Sequence, residues 1–178
     1  MTVFISGGAK NGKSSLAQEL TVRLAGEGPR CYVATMIPVD DEDRDRIRRH
    51  VAERAGLGFE TVECGRDILS CLDRVDRSGS FLVDSATALL MNEMFHDGLV
   101  DEQAGERCVR ELVAFVRSVK HAVVVSDGIY CDAARYDEIT ELYRKSLAHV
   151  DRALAQACDT VVEMTAGQRI IYKGGLPE

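Results

Sequence analysis

The chain has 178 residues, 46% of them hydrophobic, and a formal net charge of −7. That length suits a single domain, 1–178, with a sizeable core, and the acidic balance argues against nucleic acid or anionic membrane as a partner, since both call for a basic surface. No apolar run nears the roughly 20 residues that a membrane helix needs, and the start, MTVFISGG, lacks the basic head and long apolar middle of a signal peptide. The expectation is a cytoplasmic protein.

Apolar, β-branched runs alternate with helical stretches along the chain. Val3–Ser6 reads as a strand, and Lys13–Ala25 as a helix with Leu16, Leu20 and Leu24 on one face. GEGP stops that helix. Cys31–Thr35 is a second strand, and a charged helix runs from about Asp40 to Ala55 until GLG ends it. Phe59–Glu63 alternates apolar and polar, as a more exposed strand does. A short helix over Ile68–Val75 precedes a fourth strand, Phe81–Asp84. Residues 85–96 and Glu102–Val119 read as helices. Ala122–Ser126, apolar on both faces, fits a central parallel strand. A long helix over Tyr136–Ala157 leads to a hairpin, Thr160–Met164 and Arg169–Tyr172. This alternation predicts an α/β fold with a mainly parallel sheet flanked by helices, and ligands of such sheets sit beyond the carboxyl ends of the strands. The six cysteines, Cys31, Cys64, Cys71, Cys108, Cys131 and Cys158, match no metal, redox or disulfide spacing and read as free thiols.

Between the first strand and the first helix stands GGAKNGKS: Gly7, Gly8, Ala9, Lys10, Asn11, Gly12, Lys13 and Ser14. Its G-x-x-x-x-G-K-S spacing, with strand before and helix after, is the P-loop pattern. Glycines let backbone N–H groups converge on one anion, and the helix N-terminus adds partial positive charge. Lys13 would reach the β- and γ-phosphates of a nucleoside triphosphate, and Ser14 would ligate Mg²⁺. A second metal contact comes from an acid closing another apolar strand. Asp84 and Asp127 both qualify, and Asp84 follows the tighter apolar pattern.

The segment after the second strand packs five acids into DDEDRD, residues 40–45, and follows them with Arg46, Arg48, Arg49 and Arg54 around His50. Acids early and arginines late suit a helix dipole and describe a solvated face. The same arginines could also hold a polyphosphate, and an imidazole among them stays neutral and nucleophilic.

In order and spacing, ISGGAKNGKS, YVAT (32–35), RIRRH (46–50) and ETVE (60–63) resemble the bifunctional adenosylcobinamide kinase/adenosylcobinamide-phosphate guanylyltransferases of cobalamin biosynthesis, and so do FLVDSATALLMNEMF (81–95), YRKSLAHVDRALAQACDTV (143–161) and Lys173. The resemblance implies a RecA-like sheet, a homotrimer, and adenosylcobinamide and its phosphate as substrates, with ATP and GTP as donors. It implies that His50 becomes guanylylated and then passes GMP on. It also implies that residues 7–14, Val33, Ala34, Thr35, Val51, Ala52, Glu53, Arg54, Glu63 and Asp84 bind nucleotide, that Lys13 is catalytic, and that Ser14 and Asp84 hold the metal. The chain departs from the family's pattern at Ser126–Glu138, where paired glycines and a proline are missing, and at Ala148, Asp151 and Gln168, where the family has Gly, Asn and Pro. These departures keep open two alternatives: a P-loop small-molecule kinase with a structural His50, which would transfer only γ-phosphate, and a diverged nucleotide-binding paralogue without turnover.

Overall fold

A computed structural model of the chain describes residues 1–177. The elements in chain order are β1 (Thr2–Gly7), α1 (Lys13–Ala25), β2 (Arg30–Ala34), α2 (Asp41–Glu53), β3 (Phe59–Glu63), a 3₁₀ turn (Ile68–Asp73), β4 (Ser80–Asp84), α3 (Ala86–Met94), β5 (Phe95–His96), β6 (Leu99–Val100), α4 (Ala104–Ser118), β7 (His121–Val125), α5 (Glu138–Ala157), β8 (Thr160–Thr165) and β9 (Gln168–Lys173). Seven strands form one sheet in the order β3-β2-β4-β7-β1-β8-β9. All neighbours are parallel except the β8–β9 hairpin.

Alternation along each strand sorts the core into two layers. Val3 and Ile5 of β1 join Leu82, Val123, Val125 and Val162 beneath α1, through Leu16, Ala17 and Leu20. Phe4 points the other way, with Phe81, Val83 and Val124, onto α3, α4 and α5. β7, the middle strand, is buried on both faces, as its unbroken apolar run predicts. Helix α2 is different: none of its residues is buried, and the Asp40 carboxylate caps its N-terminus by accepting from the Asp43 N–H.

Most element ends lie within one or two residues of the sequence reading, and three differences bear on the path of the chain. The helix expected over 85–96 stops at Met94, because Asp97 and Gly98 take positive φ and turn the chain into a β5–β6 hairpin. The helix expected over Ile68–Val75 is a shorter 3₁₀ turn. The long last helix begins at Glu138, since Asp137 caps it by accepting from Ile139 and Thr140 N–H groups. The closing hairpin turns through Ala166 and Gly167, both at positive φ, as a two-residue hairpin requires.

Candidate functional site

The turn after β1 is shaped by its glycines. Gly7 has φ +146, and a Cβ there would lie 2.4 Å from the Met164 carbonyl oxygen of β8, so β1 can end here only in glycine. Lys10 (φ 59) and Gly12 (φ 87) also take positive φ, which curls successive N–H groups into a concave nest. No side chain caps the N-terminus of α1 and no acid occupies its first turn, leaving a free positive helix end for an anion. Lys13, only 6% exposed, donates to the Gly8 carbonyl at 2.6 Å and pairs with Asp127 at 2.7 Å.

Beyond the carboxyl ends of β2, β3 and β4 lies a cavity of about 580 Å³. Its floor is a stack of three groups. The Tyr32 hydroxyl donates to Asp84 at 2.8 Å, and the Arg54 guanidinium lies 3.9 Å above the Tyr32 ring while donating to Thr61 Oγ1 at 3.1 Å. Burial, reinforced by the Asp84 carboxylate, raises the pKa of Tyr32 and keeps it a hydrogen-bond donor. His50, Ile47, Val51, Arg44, Arg46 and Arg48 of α2 form the opposite wall. Arg44 and Arg48 are paired within the helix to Asp41 and Asp45, whereas Arg46 has no ion pair among the described residues. His50 Nδ1 is buried and lies 3.4 Å from Glu53 Oε2 without the alignment of a hydrogen bond. With Nδ1 turned to that carboxylate, Nε2 is the nitrogen left for a ligand.

A second cavity of about 500 Å³ adjoins the first, sharing Met36, Ile37, Arg46, Ser85 and Ala88 with it. It extends past Thr87, Met91 and Tyr143 to Asp127. The Asp127 N–H donates to Thr87 Oγ1, and the Tyr143 hydroxyl donates to the Thr87 carbonyl, which fixes this end of the cavity.

Ala34, His50, Val51, Arg54, Glu63 and Asp84 thus come together on the first cavity. Glu53 touches it through His50, and Ala52 is exposed without lining it. Val33 is fully buried in the core. Thr35 is buried too: its hydroxyl donates to the Ser85 carbonyl and accepts from the Ser85 N–H, locking β2 to the end of β4. Gly7, Gly8, Ala9, Lys10, Asn11, Gly12, Lys13 and Ser14 line neither cavity; they meet the second one through the Lys13–Asp127 pair. The two acids have different settings because β7 lies between β1 and β4: Asp127 stands beside the P-loop strand, and Asp84 one strand farther on. Tyr32, Thr61 and Met91 belong to the cavities although the sequence reading gave none of them a role; a tyrosine in an apolar strand, whose hydroxyl must find a partner, was the one available signal.

The oxygen donors suited to Mg²⁺ are the half-buried Ser14 hydroxyl at the head of α1 and the single carboxylates of Asp84 and Asp127. No cluster of three metal-ligating side chains exists among the described residues. That donor set fits a magnesium ion held chiefly by phosphates and water, which uses one or two protein oxygens.

A family described as cobinamide kinase / cobinamide phosphate guanyltransferase matches residues 3–171. No curated protein matches the chain by sequence. Among solved structures, an ATPase domain superposes with a TM-score of 0.57 at 11% identity, covering 99% of this chain and 78% of the other. A KaiC-like protein from Pyrococcus horikoshii superposes with a TM-score of 0.56 at 15% identity, covering 97% and 78%. These likenesses show the fold, a RecA-like P-loop sheet extended by the β8–β9 hairpin. No helix among the described residues is long and apolar enough to cross a membrane.

Proposed function

The chain belongs to the cobinamide kinase / cobinamide phosphate guanyltransferase family, and from that premise we propose that it phosphorylates adenosylcobinamide and transfers GMP from GTP to the resulting phosphate through a GMP–His50 intermediate. The observation that carries the proposal is the setting of His50. Its imidazole faces a cavity walled by arginines, with Nδ1 turned to Glu53 and Nε2 free. Neutral imidazole is a good nucleophile, and once phosphorylated it is a good leaving group. Nε2 forms a bond to the α-phosphorus of GTP, the bond from that phosphorus to the α–β bridging oxygen breaks, and pyrophosphate leaves with the electron pair. The nearby Glu53 carboxylate favours the positive charge that develops on the ring. Arg46 and Arg54 would offset the charge on the phosphates, and Glu63 and Asp84 supply acceptors for the base and sugar.

In the kinase reaction Lys13 and the nest of residues 7–14 would hold the triphosphate of ATP or GTP. Ser14 and Asp84 would hold Mg²⁺, which neutralises phosphate charge when bound. The proposal includes a homotrimeric, cytoplasmic enzyme of the nucleotidyltransferase and kinase class. Incubation with α-labelled GTP should place acid-labile label on the protein, and γ-labelled GTP should not. Label that persists undiminished in His50→Ala, or none on the wild type, would falsify the reading.

A further inference from the structure

Of the residues that line both cavities, only Arg46 is charged. The far end of the second cavity is Asp127, which is bonded to the P-loop lysine. We propose that this second cavity is the acceptor site for both transfers, receiving the alcohol-bearing arm of the corrinoid for phosphorylation and then, as a phosphate monoester, for guanylylation. The inference rests on the reading of the first cavity as the site of GMP transfer.

The geometry of the two ends separates the chemistries. The Asp127 carboxylate is paired with Lys13 at 2.7 Å. A triphosphate entering the loop offers Lys13 a denser anion and draws it away, which frees Asp127 beside the γ-phosphate. An alcohol at this end then attacks: its oxygen bonds to the γ-phosphorus, the bond to the β–γ bridging oxygen breaks, the nucleoside diphosphate leaves with the electron pair, and Asp127 takes the hydroxyl proton. At the other end Arg46, free of any ion pair among the described residues, meets the new phosphate monoester and holds it against GMP on His50. A monoester oxygen bonds to the α-phosphorus, the N–P bond breaks, and its electron pair returns to the imidazole. The phosphorylated arm need only shift within one cavity between the two reactions. Asp43, the remaining acid of the lining, is engaged in accepting from the Val39 N–H at 3.1 Å.

Size and surface agree with this occupant. A volume of about 500 Å³ admits an arm and excludes a corrin macrocycle. The macrocycle is left at the rim, where Ile37, Val39 and Met91 are 49%, 83% and 44% exposed. Apolar side chains that stand out of the protein around a polar-ended cavity suit the face of a large ring.

Calorimetric titration with cobinamide, in the absence of nucleotide, tests the assignment without turnover. Met91→Trp narrows the mouth and Val39→Asp charges its rim; both positions are exposed, so folding is little affected. Each should weaken cobinamide binding at least about tenfold relative to wild type. GMP loading from labelled GTP alone, a reaction with no acceptor in it, reports separately on His50. Failure of wild type to load GMP would undo the proposed function. Wild-type cobinamide affinity in both variants, or no cobinamide binding by the wild type, would overturn the acceptor site.

Discussion

Asp151 on α5 provides a quantitative test of how the core is balanced. It is 3% exposed, accepts from the Tyr130 hydroxyl at 2.7 Å through Oδ2, and leaves Oδ1 buried without a partner. Burial, helped by nearby Asp127 and opposed by the hydrogen bond from Tyr130, pushes its carboxyl from the ordinary 3.8 up to about 6. A raised carboxyl pKa means that the folded chain binds the proton more tightly than the unfolded one. Stability therefore falls as pH rises from the unfolded value through the folded one, and the full cost is present above about pH 6. A shift of this size corresponds to a few kcal/mol at pH 8 and to roughly half as much at pH 5. Asp151→Asn removes the titration while keeping the shape. Its own amide packing cost is the same at both pH values, so the variant's stability relative to wild type should rise by about 1 kcal/mol between pH 5 and pH 8. Urea denaturation of both proteins at the two pH values measures this directly. A difference that stays flat with pH, or reverses, would refute the claim that a buried, under-bonded charge sits at residue 151.

Gly7→Ala should cost roughly 2 kcal/mol or more, because it combines positive φ with a clash against the β8 backbone; an unchanged denaturation midpoint would contradict that packing. Tyr32→Phe keeps the ring under Arg54 but removes the donor to Asp84, and should cost about 1 kcal/mol in stability and slow GMP loading; stopped-flow loading at the wild-type rate would show that Asp84 needs no such support. Leu154→Ala opens a hole in a fully buried site of α5 and should cost about 2–5 kcal/mol by chemical denaturation.

The sheet was legible because parallel strands buried on both faces are written as short apolar runs, as in Ala122–Val125, and because the P-loop spacing needs a strand before it and a helix after it. The β5–β6 hairpin was not, since Phe95 and His96 continue an apolar helical pattern and only the positive φ of Asp97 and Gly98 diverts the chain. At the site, the charge run of α2 pointed to His50 and its arginines, but not to which arginines would be unpaired; pairs three residues apart consume Arg44 and Arg48 and spare Arg46 and Arg49, of which Arg46 lines the cavities. The pairing of Lys13 with Asp127 depends on β7 lying next to β1, a matter of strand order that no local pattern encodes. Thr35 shows the converse. A residue within a recognisable motif turns out to spend its hydroxyl on joining two strands.

The central claim is that His50 carries GMP as a covalent intermediate before any acceptor arrives. Exchange of labelled pyrophosphate into GTP, measured with Mg²⁺ and without acceptor, tests it most directly. The account predicts steady exchange by the wild type and none by His50→Ala. Exchange that begins only when cobinamide phosphate is added would mean that GMP passes straight from GTP to the acceptor, and His50 would then have no place as nucleophile.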